Sequence, residues 1–181
     1  MADFFNQIAD KHKEFIEQQA MFFVATAPSE GGRISLSPKG LDSFRVLGPK
    51  QVAYLDITGS GNETAAHLKD NGRITLMFCS FTRNPLILRI YGKGRSVQPG
   101  DREWPNLLSH FPKEPGIRQI MLIDMDNLQT SCGYGVPLYE LVETRETLNR
   151  WASSKTPEEL EAYRRKNNQQ SIDGLPTGLK A

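Results

Sequence analysis

The spacing of apolar residues changes character near residue 21. In the first twenty residues Phe4, Phe5, Ile8, Phe15 and Ile16 recur at near-helical intervals with charges between them, and Asp3 stands where an N-cap would. This spacing predicts an amphipathic helix over residues 1–20. From Met21 onward the chain breaks into short β-rich runs, "MFFVATA", "RISLS", "FRVLG", "QVAYLDI", "RITLMFCSF" and "LILRIYGKG", separated by Gly, Pro, Ser and Asn. Strands joined by such short turns point to a small antiparallel barrel or sandwich. A parallel, doubly wound sheet needs a helix after each strand, and the spacing leaves no room for them.

One strand–helix–strand unit interrupts the series. Val52 to Ile57 reads as a strand, Thr64 to Asp70 as two helical turns, Gly72 as a helix stop and Arg73 to Ser80 as the next strand. Farther on, "DREWPNLLSHF" reads as a short helix interrupted by Pro105, and "IRQIMLIDMDNLQ" as a buried strand leading into "TSCGYGVP". "YELVETRETLNRWA" and "TPEELEAYRRKNN" read as helices, the second opened by Thr156, Pro157 and Glu159 and closed by a solvated Arg164 to Lys166 turn. The polar tail "QQSIDGLPTGLKA" is expected to be disordered unless Ile172, Leu175 and Leu179 strap it down. The expected organisation is an N-terminal helix over 1–20, a barrel over 21–137, and helices with a tail over 138–181 packed on the same domain.

Composition narrows the function classes. A chain of 181 residues fits one domain with a complete core. Lys and Arg number 22 against 21 for Asp and Glu, so the net charge of +1 provides no global field for gathering nucleic acid or an acidic membrane. The start has no signal-peptide pattern and no apolar run is long enough to span a bilayer, which leads to the expectation of a cytoplasmic protein. Cys79 and Cys132 are then thiols, and neither they nor the histidines show metal-ligand spacing.

The candidate chemistry lies in "DITGSGNETAAHL". Gly59 and Gly61 permit close approach of a ligand, and the loop feeds a helix N-terminus whose free N–H groups favour anions. The loop is neither a dinucleotide fingerprint, which needs a third glycine, nor a P-loop, which ends in Gly-Lys-Ser/Thr. It also reads as a plain helix entry, with Ser60 and Glu63 at capping-box spacing and Asn62 as an alternative N-cap. His67 shares the helix face of Thr64 and either points to a ligand or is a buried side chain with its hydrogen bond met. Cys132 has no base placed near it and is assigned no catalytic role.

Taken in order, "VATAP", "SLSPKG", "VAYLDITGSGNETAAHL", "RITLMF" and "LRIYGKG" resemble the pyridoxamine 5'-phosphate oxidase-like FMN-binding split-barrel family over about residues 21–97. A bacterial and fungal subgroup extends the resemblance through "TSCGYGVP" and "SIDGLP". The resemblance implies a six-stranded antiparallel split β-barrel with flanking helices, an FMN-dependent oxidoreductase of a small molecule, and a homodimer with the cofactor at the subunit interface. It implies Ser37 and Lys39 as phosphate ligands on one strand, Asn62, Glu63 and Thr64 at the helix start, and Arg89 near the phosphate or the ring edge. No nucleic-acid or membrane partner and no metal is implied.

Two departures stand out. The oxidases carry Ser-Arg-Lys where this chain has Asn62-Glu63-Thr64. A carboxylate about 4 Å from a phosphate charge, at an effective dielectric near 20, costs roughly 4 kcal/mol. Glu63 must therefore cap the helix or pair with Lys39 or Arg89, or the barrel takes a different ligand such as a deazaflavin, or is a non-enzymatic binding or interaction module. The oxidases also end in a substrate segment rich in Arg, Trp and Pro, replaced here by "TSCGYGVP" and two helices, so oxidation of pyridoxamine 5'-phosphate itself is not expected.

Overall fold

The computed structural model describes residues 2–180. Among them eight strands form one antiparallel sheet: β1 (Ala2–Phe5), β2 (Phe22–Thr26), β3 (Ser35–Lys39), β4 (Phe44–Gly48), β5 (Gln51–Ile57), β6 (Arg73–Cys79), β7 (Ile87–Val97) and β8 (Ile117–Ser131). Five helices flank it: α1 (Asp10–Glu17), α2 (Glu63–Asn71), α3 (Trp104–Leu108), α4 (Thr147–Ser153) and α5 (Pro157–Asn167). The hydrogen-bonded order is β3-β2-β6-β7-β8-β5-β4, with β1 beside β8. This is the expected mainly β split-barrel class, with eight strands in place of six.

The ends of that order, β3 and β4, share no ladder among the described residues. Aromatic packing closes the barrel instead. The Phe44 ring on β4 lies 5.0 Å from Phe22 on β2 and 5.0 Å from Phe78 on β6, and Phe22 stacks on Phe78 at 5.4 Å. Alternation along the strands points Val24, Leu76, Leu88 and Ile90 into the same interior. β5 is buried on both faces, Val52 and Tyr54 inside the barrel and Ala53 and Leu55 against Leu107 and Phe111 at α3. α2 starts at Glu63, one residue before the expected Thr64, and is ended by left-handed Gly72 at φ 73°, the stop the sequence predicts.

The flanks depart from expectation in three places. Residues 2–5 form a strand instead of the first turns of a helix, so Asp3 caps nothing. β8 has 15 residues, β5 pairs with it only as far as Asp124, and β1 occupies the edge beyond, from Leu128 to Ser131. The helix begins at Asp10, where the His12 ring accepts the Ala9 N–H at 3.1 Å. Residues 138–146 carry no helix because their apolar side chains, such as Leu141 and Val142, stay exposed and a helix there would bury no face. Pro105 opens α3 rather than interrupting it. The capping box of α5 forms as expected, Thr156 accepting the Glu159 N–H at 3.2 Å.

The β7–β8 ladder shifts register between Tyr91 and Gly92, and a Cβ at Gly92 would stand 2.3 Å from the Asp124 carbonyl oxygen. Gly92→Ala is expected to cost about 1–3 kcal/mol through overpacking. Gly48→Ala, which meets open space, should stay within about 0.5 kcal/mol. Urea midpoints read both, and equal midpoints would contradict the close approach.

Candidate functional site

At the end of β5 the pleat turns Asp56 to the face of Val52 and Tyr54, where it is 3 % exposed. The β5–β8 register shifts between Asp56 and Ile57, and a shift of this kind re-aims neighbouring side chains. Consecutive residues of β8 then reach one carboxylate. Arg118 Nε and Nη2 donate to Asp56 Oδ2 at 3.0 and 2.8 Å, and Gln119 Nε2 donates to it at 2.8 Å. Lys39 Nζ approaches Oδ1 at 3.4 Å from β3. Burial by itself would raise the Asp56 pKa, but Arg118, Lys39 and the Gln119 hydrogen bond outweigh it and hold the carboxyl at about 2.

The same residues fix the glycine loop. Arg118 Nη1 donates to the Gly61 carbonyl at 3.0 Å, and Gln119 Nε2 donates to Asn62 Oδ1 at 2.7 Å. Asn62 Nδ2 donates to the Asn168 carbonyl at 3.2 Å, and Asn168 Nδ2 to the Gly59 carbonyl at 3.0 Å. Arg164 Nε donates to Thr58 Oγ1 at 2.9 Å and Nη2 to the Ile117 carbonyl at 2.9 Å. Arg164 is therefore a half-buried brace between α5 and the loop, and the expected solvated turn holds only for its neighbours Arg165 and Lys166. Burial lowers the pKa of its guanidinium, with Arg118 contributing in the same direction.

Neither Gly59 nor Gly61 has a positive φ, so they leave space at the surface rather than enabling a left-handed turn. Asn62 occupies the N-cap position without a side-chain cap bond, because its amide is used within the frame. The Ser60–Glu63 capping box does not form. Glu63 instead turns to the C-terminal tail, where both carboxylate oxygens accept the Ile172 N–H at 3.1 Å. That tail is held chiefly by polar contacts: Leu179 is buried as expected of a strap, whereas Ile172 is 70 % exposed.

A cleft of about 410 Å³ opens between β3, the end of β5 and the start of α2, lined by Ser37, Lys39, Asp56, Thr64 and Arg118 together with the loop. An adjoining groove of about 610 Å³ shares Lys39 and Asp56 and adds Met21, Leu41, Leu141 and Leu148. Five of the six residues expected at a site, Ser37, Lys39, Asn62, Glu63 and Thr64, thus converge on one cleft. Arg89 stands apart on the outward face of β7, with Nη1 donating to Ser131 Oγ at 3.2 Å. His67 is fully buried, its Nδ1 2.9 Å from Thr26 Oγ1, and Cys132 is exposed; neither lines the cleft. Sequence reasoning missed Arg118 and Gln119, whose signal was a polar pair inside the apolar run "IRQIMLI".

The pyridoxamine 5'-phosphate oxidase family model matches residues 8–132. A pyridoxamine 5'-phosphate oxidase family protein of Aspergillus flavus, ustO, is 38 % identical over 193 aligned positions, which cover 97 % of this chain and 78 % of the relative. The chain belongs to the pyridoxamine 5'-phosphate oxidase family. Solved structures share the fold of this family member. HupZ of Group A Streptococcus superposes with a TM-score of 0.53 at 22 % identity, over 67 % of this chain and 91 % of that one. A FAD binding protein from Mycobacterium smegmatis superposes with a TM-score of 0.50 at 11 % identity, over 70 % and 97 % of the two chains. The match to the family model takes in Lys39, Asp56, α2 and Arg118, whereas Arg164, Asn168 and the tail that brace the loop lie beyond it. Among the described residues no helix is long and apolar enough to cross a membrane.

Asp56 links this frame to pH. Its folded pKa of about 2 lies below the ordinary 3.8, so its contribution is fully present above about pH 4 and is lost as pH falls through 2. Asp56→Asn is expected to cost about 3 kcal/mol at pH 7, because Arg118 is left buried without its carboxylate. The variant should also lose less stability than the parent between pH 5 and pH 2, by roughly 2 kcal/mol. Denaturation midpoints across that range test this, and parallel acid limbs would contradict it.

Proposed function

We propose that the cleft beside α2 holds the phosphate of FMN, and that the protein is a flavin-dependent oxidoreductase acting on a small molecule. One observation carries the reading: Ser37, Lys39, Thr64 and the start of α2 line one cleft, and the Glu63 carboxylate beside them is bonded to the Ile172 N–H. The first N–H groups of a helix lack intrahelical acceptors and favour an anion. Arg118 is anchored by bonds from all three guanidinium nitrogens to Asp56 and Gly61, while Lys39, held by one longer contact, is the cation assigned to a ligand. Family membership supports the reading, and the flavin named for the Mycobacterium smegmatis structure is consistent with it.

When bound, the flavin supplies the hydride and electron chemistry, and the chain supplies binding, orientation and electrostatics. Lys39 and Thr64 would hold the phosphate, and Met21, Leu41 and Leu148 in the adjoining groove would give the ring an apolar wall. The strand register sets Phe23, Met77, Arg89 and Gln129 in one row across β2, β6, β7 and β8, all half-exposed. We assign this face to a second copy of the chain. In that homodimer Arg89 would belong to the interface between copies, which would give a role to the one expected residue that lies outside the cleft.

Purified protein should take up FMN in a titration followed by flavin absorbance and fluorescence. Lys39→Ala should weaken FMN binding about 10- to 100-fold, since a hydrogen bond to a charged group is worth about 1.5–3 kcal/mol. Riboflavin, which has no phosphate, should change by less than about twofold. Equal losses would remove Lys39 from the phosphate site, and a parent protein that binds no FMN would overturn the reading.

A further inference from the structure

We infer that residues 168–173 form a latch that ties the Glu63 carboxylate to the Ile172 amide at the cleft wall, so that phosphate affinity is set by the docked tail; the inference rests on the phosphate reading above. Glu63 is the first residue of α2, where a carboxylate is drawn by default to the same N–H groups that an anionic ligand would use. In the structure both of its oxygens lie 3.1 Å from the Ile172 nitrogen. The side chain of Ile172 is 70 % exposed, so the backbone amide makes the capture.

The amide is presented by a turn fixed from several directions. Gly174 N donates to the Ser171 carbonyl at 3.0 Å, and Leu175 N donates to Ser171 Oγ at 3.0 Å. Arg33 holds Asp173 through its backbone N–H at 2.7 Å and through an ion pair. On one side of the turn Asn168 is bonded to Gly59, and on the other Lys180 N donates to Gln98 Oε1 at 2.7 Å and Lys180 Nζ to Asp101 at 2.6 Å. Lifting the tail would release a negative charge at the helix start, so docking of the tail and binding of a phosphate are coupled in free energy. Glu63 and Ile172 are positioning residues for the ligand, acting through a charge held on the tail amide rather than through contact made.

Ile172 is the second residue of the Ser171–Gly174 turn and has no positive φ, a position that suits proline. Ile172→Pro therefore removes the N–H and little else. It should weaken FMN binding at least tenfold and leave riboflavin within twofold. In a Glu63→Gln background, where no charge is present to be released, the same substitution should change FMN affinity by less than twofold. Equal loss of both ligands, or a loss of FMN affinity that persists with Glu63→Gln, would overturn the latch. Amide exchange tests it without any ligand: Glu63→Ala should abolish protection at the Ile172 N–H. Unchanged protection would overturn the latch whatever the cleft binds, whereas a protein that shows this loss but binds no FMN would overturn only the flavin reading.

Discussion

Burying the Asp56 carboxylate at the barrel mouth costs free energy that only a close cation and several donors can offset, and those partners come from distant parts of the chain. Arg118 and Gln119 reach it from β8 and Lys39 from β3. Gln119 then holds Asn62, Asn62 holds Asn168, and Asn168 holds Gly59. The loop before α2 therefore has its shape because a carboxylate had to be paired one strand away. Its glycines adopt no conformation that other residues are barred from, and the rigidity comes from side chains that terminate on its carbonyls.

The charge balance of the cleft follows from the same pairing. Arg118 is tied to Asp56 and Gly61 through its three guanidinium nitrogens, and Lys39 shares Asp56 at a longer distance at the cleft wall. Where the resemblance leads to cations at the helix start, this chain places Glu63, and both of its carboxylate oxygens accept the Ile172 N–H of the C-terminal turn. The family is matched over residues 8–132, and the loop beside the cleft is braced by a segment outside that match. Closure of the barrel by the Phe22, Phe44 and Phe78 rings, with no β3–β4 ladder among the described residues, leaves the β3 edge to present Lys39.

Features governed by neighbours in sequence were legible. The β-rich runs, the short helix ended by Gly72 and the Thr156 capping box depend on periodicity and on contacts within a few residues, and they stand where the sequence put them. Ser37, Lys39 and Thr64 were implied by the family resemblance rather than by spacing, and they line one cleft. Phe4 and Phe5 fit a helical spacing equally well, and only the free edge of β8 beyond Asp124 makes them a strand. Arg118 and Gln119 were visible as polar residues in an apolar run, but nothing local names their partner.

By itself, the sequence determined an antiparallel β-rich class, narrowed from barrel or sandwich to barrel by the family resemblance, a helix entry capped at Ser60 or Asn62, and the presence of a carboxylate where an anion site would lie. Only the tertiary structure decided where that carboxylate goes. Glu63 meets an amide 109 residues away, and no rule of capping or i,i+3 pairing reaches that far. Arg89 likewise carries the same charge in any fold, but the register of β7 between β6 and β8 turns it to the outer face of the sheet. Local chemistry selects which groups are available, and long-range packing selects which of them meet.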